Sequence, residues 1–236
     1  MAVTWVILLA IAIGVGLWYE FKPIPLGQGI DHIQQGIVNL NSDTSQDSNL
    51  VLAQQLQGLL DQSLTNPTLP GFSAVFLHPY CPCSAATISE IERMIARFPL
   101  ESIPRVMAIM YHSSQEPEDW YQSASWNHLQ SIPGLQTFVD VDGMIARAMG
   151  VQVSGETLAF DATGFTRFHG GLTASRGHEG TNPGIRSLEQ ILIGLEPERS
   201  TLPAWGCLLF EHNELAFNDE FQTGGTTIHG QPRNHH

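Results

Sequence analysis

Two rhythms of apolar positions run through the middle of the chain. Residues 73–77 (SAVFL) and 105–111 (RVMAIMY) are nearly unbroken apolar runs. Runs of that length predict strands covered on both faces, the environment of a parallel sheet. Between them Ile88, Ile91, Met94 and Ile95 recur at helical spacing within 85–98. Residues 120–129 and 144–149 predict further helices, and 136–141 a short strand. Residues 157–161 and 165–169 predict two strands joined by Ala162-Thr163-Gly164, a hairpin signal. A closing helix is expected from about 186 to 193. This order describes an α/β domain, a mixed sheet with helices on both faces. No internal repeat is present.

The flanks follow other patterns. Residues 3–19 (VTWVILLAIAIGVGLWY) carry no charge. At about 1.5 Å per residue they lie at the short limit for a spanning helix. Trp5 at one end and Trp18-Tyr19 at the other suit the two interfaces of a bilayer. A cleaved signal peptide is the alternative, against which stand the missing basic n-region and the lack of a small-x-small site. Pro23 and Pro25 end this segment, and 27–48 is rich in Gly, Gln, Asn, Asp and Ser, the composition of a tether. Leu52, Leu56, Leu59, Leu60 and Leu64 then predict a short amphipathic helix. The expected division is an anchor at 1–22, a linker at 23–70, the α/β domain at 71–197 and an extension at 198–236 that wraps the domain or stays mobile.

Composition narrows the partners. The chain has 236 residues, 42% apolar and 14% charged, enough to build a packed core. Ten Lys and Arg stand against 23 Asp and Glu, a net charge of −13. Such a chain cannot track a phosphate backbone, so nucleic acid is excluded as a partner class. Three cysteines are too few for a disulfide scaffold.

Two of those cysteines carry the chemistry. The first strand runs into His78-Pro79-Tyr80-Cys81-Pro82-Cys83-Ser84, and a helix follows at once. Pro82 suits the first helical turn. Cys81 and Cys83 therefore sit where free N–H groups and the helix dipole favour an anion. A thiol there can fall from about 8.5 into a range of roughly 3.5–7.5. Cys81, nearer the helix start and expected to be the more exposed, is assigned as the attacking sulfur and Cys83 as its resolving partner. Two inert buried thiols are the plainer alternative. Chain topology brings His112, Ser113 and Ser114 to the same sheet edge. It also brings there the loop 170–184 (GGLTASRGHEGTNPG), a length that is functional or disordered when structureless. Arg176 in that loop would favour a thiolate, and His178 could move a proton. No cofactor is expected.

The strand–Cys-Pro-Cys–helix opening and the Phe160-Asp161-x-x-Gly164 hairpin resemble the thioredoxin fold. More narrowly, His78 to Ser84, Arg167 to Gly171 (Arg-Phe-x-Gly-Gly) and Thr173 to Gly180 resemble bacterial membrane-anchored thioredoxin-like proteins of the RedB-like group. The resemblance covers about residues 70–210, including the Gly-Cys-x-Leu-Phe segment around Cys207. It implies a redoxin domain held at the membrane and brings no defined substrate. Two departures stand out. The pair is spaced Cys-x-Cys rather than Cys-x-x-Cys, and Glu156 falls where thioredoxins carry a cis-proline.

The leading expectation is a thiol–disulfide oxidoreductase acting on protein or small-molecule thiols and disulfides. A second is a carrier of copper(I) or zinc through Cys81, Cys83 and His112 or His178. A third is a non-catalytic subunit that packs against a membrane complex. Cys207, among apolar neighbours, reads as a buried structural thiol, with a third redox partner as the alternative. His212, His229, His235 and His236 are too scattered to form a ligand set. Disulfide exchange suits the outer face of a bacterial inner membrane, a periplasmic location, against the weak contrary vote of Lys22.

Overall fold

The apolar runs expected as parallel strands lie side by side at the centre of one five-stranded sheet. In chain order the elements are α1 (Ile33–Ser42), β1 (Phe72–Leu77), α2 (Pro82–Ile95), β2 (Arg105–His112), a 3-10 turn (Glu118–Gln122), α3 (Ala124–Ser131), β3 (Gln136–Val141), α4 (Met144–Ala148), β4 (Glu156–Phe160), β5 (Thr166–Gly171) and α5 (Pro183–Leu192). This is a computed structural model; it describes residues 23–42, 71–99 and 104–210, and the scattered positions 4–8, 11, 13, 54, 57, 58 and 61.

The sheet order is β3-β2-β1-β4-β5. β1 pairs in parallel with β2, and β2 with β3, while β4 runs antiparallel to both β1 and β5. Strand period two sorts the side chains into two layers. Phe72, Ala74, Phe76, Met107, Ile109, Leu158 and Phe160 face one core, shared with Ile33 and Ile37 of α1 and Ile145 of α4. Val75, Leu77, Val106, Ala108, Met110 and Ala159 face the other, with Ile88, Ile91 and Met94 of α2 and Leu188 of α5. Helices cover both faces, and the topology fits a thioredoxin-like fold.

Local chemistry sets the boundaries. Pro82 occupies the first turn of α2, with Cys81 as its extended N-cap. Asn182 caps α5 through Gly184 and Ile185, so that helix starts at Pro183, earlier than the apolar spacing indicates. The helix expected over 120–129 is broken at Ser123, whose hydroxyl accepts the Trp126 N–H and starts α3. In the β4–β5 hairpin the Asp161 carboxylate takes the N–H groups of Thr163 and Phe165, and Gly164 adopts a φ of 91°.

The segments flanking the expected domain contribute to its core. The stretch read as a tether is bound to the sheet over its first half. Ile30, Ile33 and Ile37 are buried, Gly27 N–H donates to Glu156, and Thr166 N–H donates to Asp31. Apolar residues at i, i+3 and i+7 outweigh the polar composition around them. On the other side, 198–210 wraps the domain. Thr201 bridges to His169, Ala204 to Ile24 and Leu208 to Val153. Gly170 and Gly171 make room for it, since a Cβ at Gly170 would lie 2.4 Å from the Leu202 carbonyl oxygen. Residues 211–236 lie outside the described residues, as does most of the amphipathic helix expected after 49. Of the apolar stretch 3–19, positions 4–8, 11 and 13 are described, helical and exposed. Among the described residues no helix is long and apolar enough to cross a membrane.

Candidate functional site, a three-thiol cluster at the start of α2

β1 ends at Leu77, and the chain turns through His78 and Tyr80 before α2 begins. The turn is tied by Cys81 N–H to the His78 carbonyl at 3.2 Å and by His78 N–H to Ser84 Oγ at 2.9 Å. The His78 ring stacks on Tyr111, with centroids 5.7 Å apart. Burial lowers its pKa, against the opposing pull of Cys81 and Glu116, which keeps the imidazole neutral near pH 7.

Three sulfurs meet at this corner, not two. Cys207, carried on the returning C-terminal segment, places its Sγ 3.1 Å from that of Cys81. Ser154, just ahead of β4, binds both residues. Its hydroxyl donates to Cys81 Sγ at 3.1 Å while accepting the Cys207 N–H at 2.9 Å. Its own N–H donates to the Cys207 carbonyl at 2.8 Å. Gly206 permits this approach, because a Cβ there would lie 1.8 Å from the Ser154 carbonyl oxygen. The structural-thiol reading of Cys207 is therefore corrected: the residue is half-buried and touches Cys81. Sequence separation of 126 positions hid the contact.

The environment ionises Cys81 and protects its neighbours from ionisation. The Cys83 thiol donates to Cys81, with further help from the Ser154 hydroxyl, the Cys207 thiol and the Ser84 amide. Against the cost of burial these donors bring Cys81 from 9.0 down to about 4. Cys83 is pushed up by its bond to Cys81 and by burial, with the Gly177 amide and Arg176 pulling the other way. Burial, followed by the Cys81 interaction, raises Cys207 to about 11. The hydrogen-bond donors around Cys81 thus favour the thiolate there, while burial and the Cys81 contact favour the thiol forms of Cys83 and Cys207.

The other sequence-assigned residues divide. Cys83 is at the site, but Cys81 is not the more exposed of the two; each has 2% of its surface accessible. Arg176 reaches the site, where it hydrogen-bonds Cys207 and favours the charged forms of Cys207 and Cys83. His178 is exposed, its N–H donates to the Ser175 carbonyl, and no described contact joins its ring to the sulfurs. His112 is buried against Trp120, with ring centroids 5.1 Å apart, and its Nδ1 has no hydrogen-bond partner. Among the described residues no group of three or more His, Cys, Asp and Glu is placed to hold a metal ion. The expected Cys–His ligand set does not assemble, because β2 delivers His112 to the aromatic cluster instead.

Glu156 also departs from expectation. It starts β4 with its carboxylate buried, accepting the N–H groups of Gly27, Gln152 and Val153 and bonded to His169 at 2.5 Å. The residue that lines the sulfurs is Ser154, two positions earlier. Its signal in the sequence was its place at the start of a strand beginning on the cysteine edge.

No family model matches the chain, and no curated protein matches it. Solved structures do. A hypothetical protein from Sinorhizobium meliloti superposes with a TM-score of 0.49 at 15% identity, over 60% of this chain and 80% of its own. An uncharacterized conserved protein from Geobacillus kaustophilus gives 0.48 at 16% identity, over 61% and 78%. A secreted Mycobacterium tuberculosis disulfide oxidoreductase, described as homologous to E. coli DsbE, gives 0.29 at 15% identity, over 42% and 69%.

Proposed function

We propose that this protein is a thiol–disulfide oxidoreductase whose reactive group is the Cys81 thiolate. One observation carries the reading. Cys81 lies at the start of α2 with the Ser154 hydroxyl donating to its sulfur and the Cys207 sulfur 3.1 Å away, an arrangement that favours its thiolate. A thiolate is the form that attacks a disulfide, and a thiol of low pKa is also the form that leaves one easily. Such a centre exchanges with external disulfides and thiols, and a second cysteine of the chain closes or opens the protein disulfide. Cys83, two residues away and donating to Cys81, is the partner closest in sequence.

In this reading the substrates are protein or small-molecule thiols and disulfides, and the chain belongs with the RedB-like proteins it resembles. The apolar segment 3–19 anchors it, and the domain works on the outer face of a bacterial inner membrane, where disulfides persist. The test is exchange by the full-length chain with the glutathione couple across a redox series, beside insulin reduction. The expected result is exchange that Cys81→Ser abolishes. Exchange that survives Cys81→Ser, or none at any potential, overturns the proposal.

A further inference from the structure

Of the three cysteines at this corner, Cys207 is the residue with the most accessible surface. Cys81 and Cys83 each have 2% of their surface exposed, whereas Cys207 is half-buried and lies across Cys81 at an Sγ–Sγ distance of 3.1 Å. A disulfide needs about 2.05 Å, so closing this pair takes roughly 1 Å of approach. The two backbones are already registered for it. Ser154 holds Cys81 by its hydroxyl and Cys207 by both an N–H and a C=O, and Gly206 lets the strands of chain come together. Cys83 is engaged differently, with its thiol turned to Cys81 as a donor and its sulfur accepting the Gly177 amide.

We infer that the working disulfide joins Cys81 to Cys207, and that substrate thiolates attack it at the Cys207 sulfur with Cys81 as the leaving group. This rests on the proposed exchange at Cys81 and adds its partner and its direction. In the first step a substrate thiolate bonds to Cys207 Sγ, the Cys81–Cys207 bond breaks, and the electron pair stays on Cys81. The hydrogen-bond donors of Cys83 and Ser154 receive that charge. In the second step another substrate thiolate attacks the substrate sulfur of the mixed disulfide. The substrate disulfide departs, and Cys207 leaves as a thiolate beside the Arg176 guanidinium and takes up a proton. Two substrate thiols become one disulfide, and the protein disulfide becomes a thiolate and a thiol. A disulfide-bearing oxidant of the same compartment restores the protein by the reverse exchange. Stabilising the leaving group favours the reduced protein, so the direction is oxidation of substrate. Cys83 is a positioning residue.

The experiment uses the full-length chain, oxidised glutathione to close the bond and reduced glutathione to open it. Peptide mapping without reduction is expected to find Cys81 linked to Cys207, with Cys83 alkylated as a free thiol. Acid-quenched opening is expected to place the glutathione adduct on Cys207 and to leave Cys81 free. Cys207→Ser loses the cross-linked peptide. Cys83→Ser keeps it, and moves the pH profile of Cys81 alkylation upward. A Cys81–Cys83 link with Cys207 free, or an adduct on Cys81, overturns the inference while the proposed function stands. Absence of exchange at every cysteine overturns both. Circular dichroism of each variant identifies loss of fold, and the map of the unmutated protein decides the pairing without any variant.

Discussion

The hydroxyl of Ser154 donates to the sulfur of Cys81 across 3.1 Å, from a residue 73 positions away. A hydrogen bond to a charged group contributes about 1.5–3 kcal/mol, and a pKa unit is about 1.4 kcal/mol. Ser154→Ala is therefore expected to raise the Cys81 pKa by about one to two units. The pH dependence of iodoacetamide alkylation measures it, and an unchanged midpoint would remove Ser154 from the site.

The Cys81 thiolate links redox chemistry to stability. Its folded pKa of about 4 lies below the ordinary 9.0, so the unfolded state binds more protons between these values. Stability of the reduced protein rises with pH through that window. The contribution is complete above about pH 9 and is lost as pH falls through 4. Cys207, raised to about 11, works in the opposite sense above pH 9. Asp140, whose carboxyl is raised from 3.8 to about 7, acts in the opposite sense between those values, so urea unfolding of the reduced chain is expected to show the rise between about pH 7 and 9 and Cys81→Ala to flatten it there.

Arg176 faces Cys207 and Cys83. Arg176→Ala is expected to raise the pKa of Cys207, with a smaller rise at Cys81. Alkylation followed residue by residue with mass spectrometry separates the two. A large upward shift confined to Cys81 would contradict this placement.

Asp140, at the end of β3, gives a second pH signature. Burial raises its carboxyl from 3.8 to about 7, although the Ile145 and Ala146 N–H groups donate to it. The folded state thus holds a proton that the unfolded state releases near pH 4. In the Cys81→Ala variant, which lacks the opposing contribution of the thiolate, stability should fall from about pH 4 to pH 7, by at most about 1.4 kcal/mol per pH unit. Asp140→Asn is expected to abolish that decline. Denaturation midpoints at four or five pH values are sufficient to detect it.

Gly206→Ala puts a methyl group against the Ser154 carbonyl. Overpacking of this kind costs roughly 1–3 kcal/mol. The expected outcome is a lower denaturation midpoint and faster alkylation of Cys81, because Cys207 no longer lies over it. Unchanged alkylation would show that Cys207 does not shield the thiolate.

Local physics made much of this legible. The strand identities of residues 73–77 and 105–111 followed from apolar runs, and the site of Cys81 from a proline at the first turn of a helix. What escaped was set by distant contacts. Nothing near Trp205 or Leu208 announces that Cys207 meets Cys81. His112 was aimed correctly along β2, but Trp120 captured its ring. Arg176 was expected at the cysteines and reaches them, yet its charge falls on Cys83 and Cys207. Residues 27–42 were misjudged for a different reason. Their polar composition hid Ile30, Ile33 and Ile37, whose spacing alone would have placed them against the sheet.

Residues 200–203 lie along β5, and the chain then carries Cys207 across Cys81 on its way to Val153. Joining Cys207 to Cys81 would close a ring of chain through nearly the whole domain, and rings near 100 residues restrict the unfolded ensemble by about 4–5 kcal/mol. The oxidised protein should then resist proteolysis at its carboxyl-terminal margin. Each turnover would unlock that margin and fasten it again.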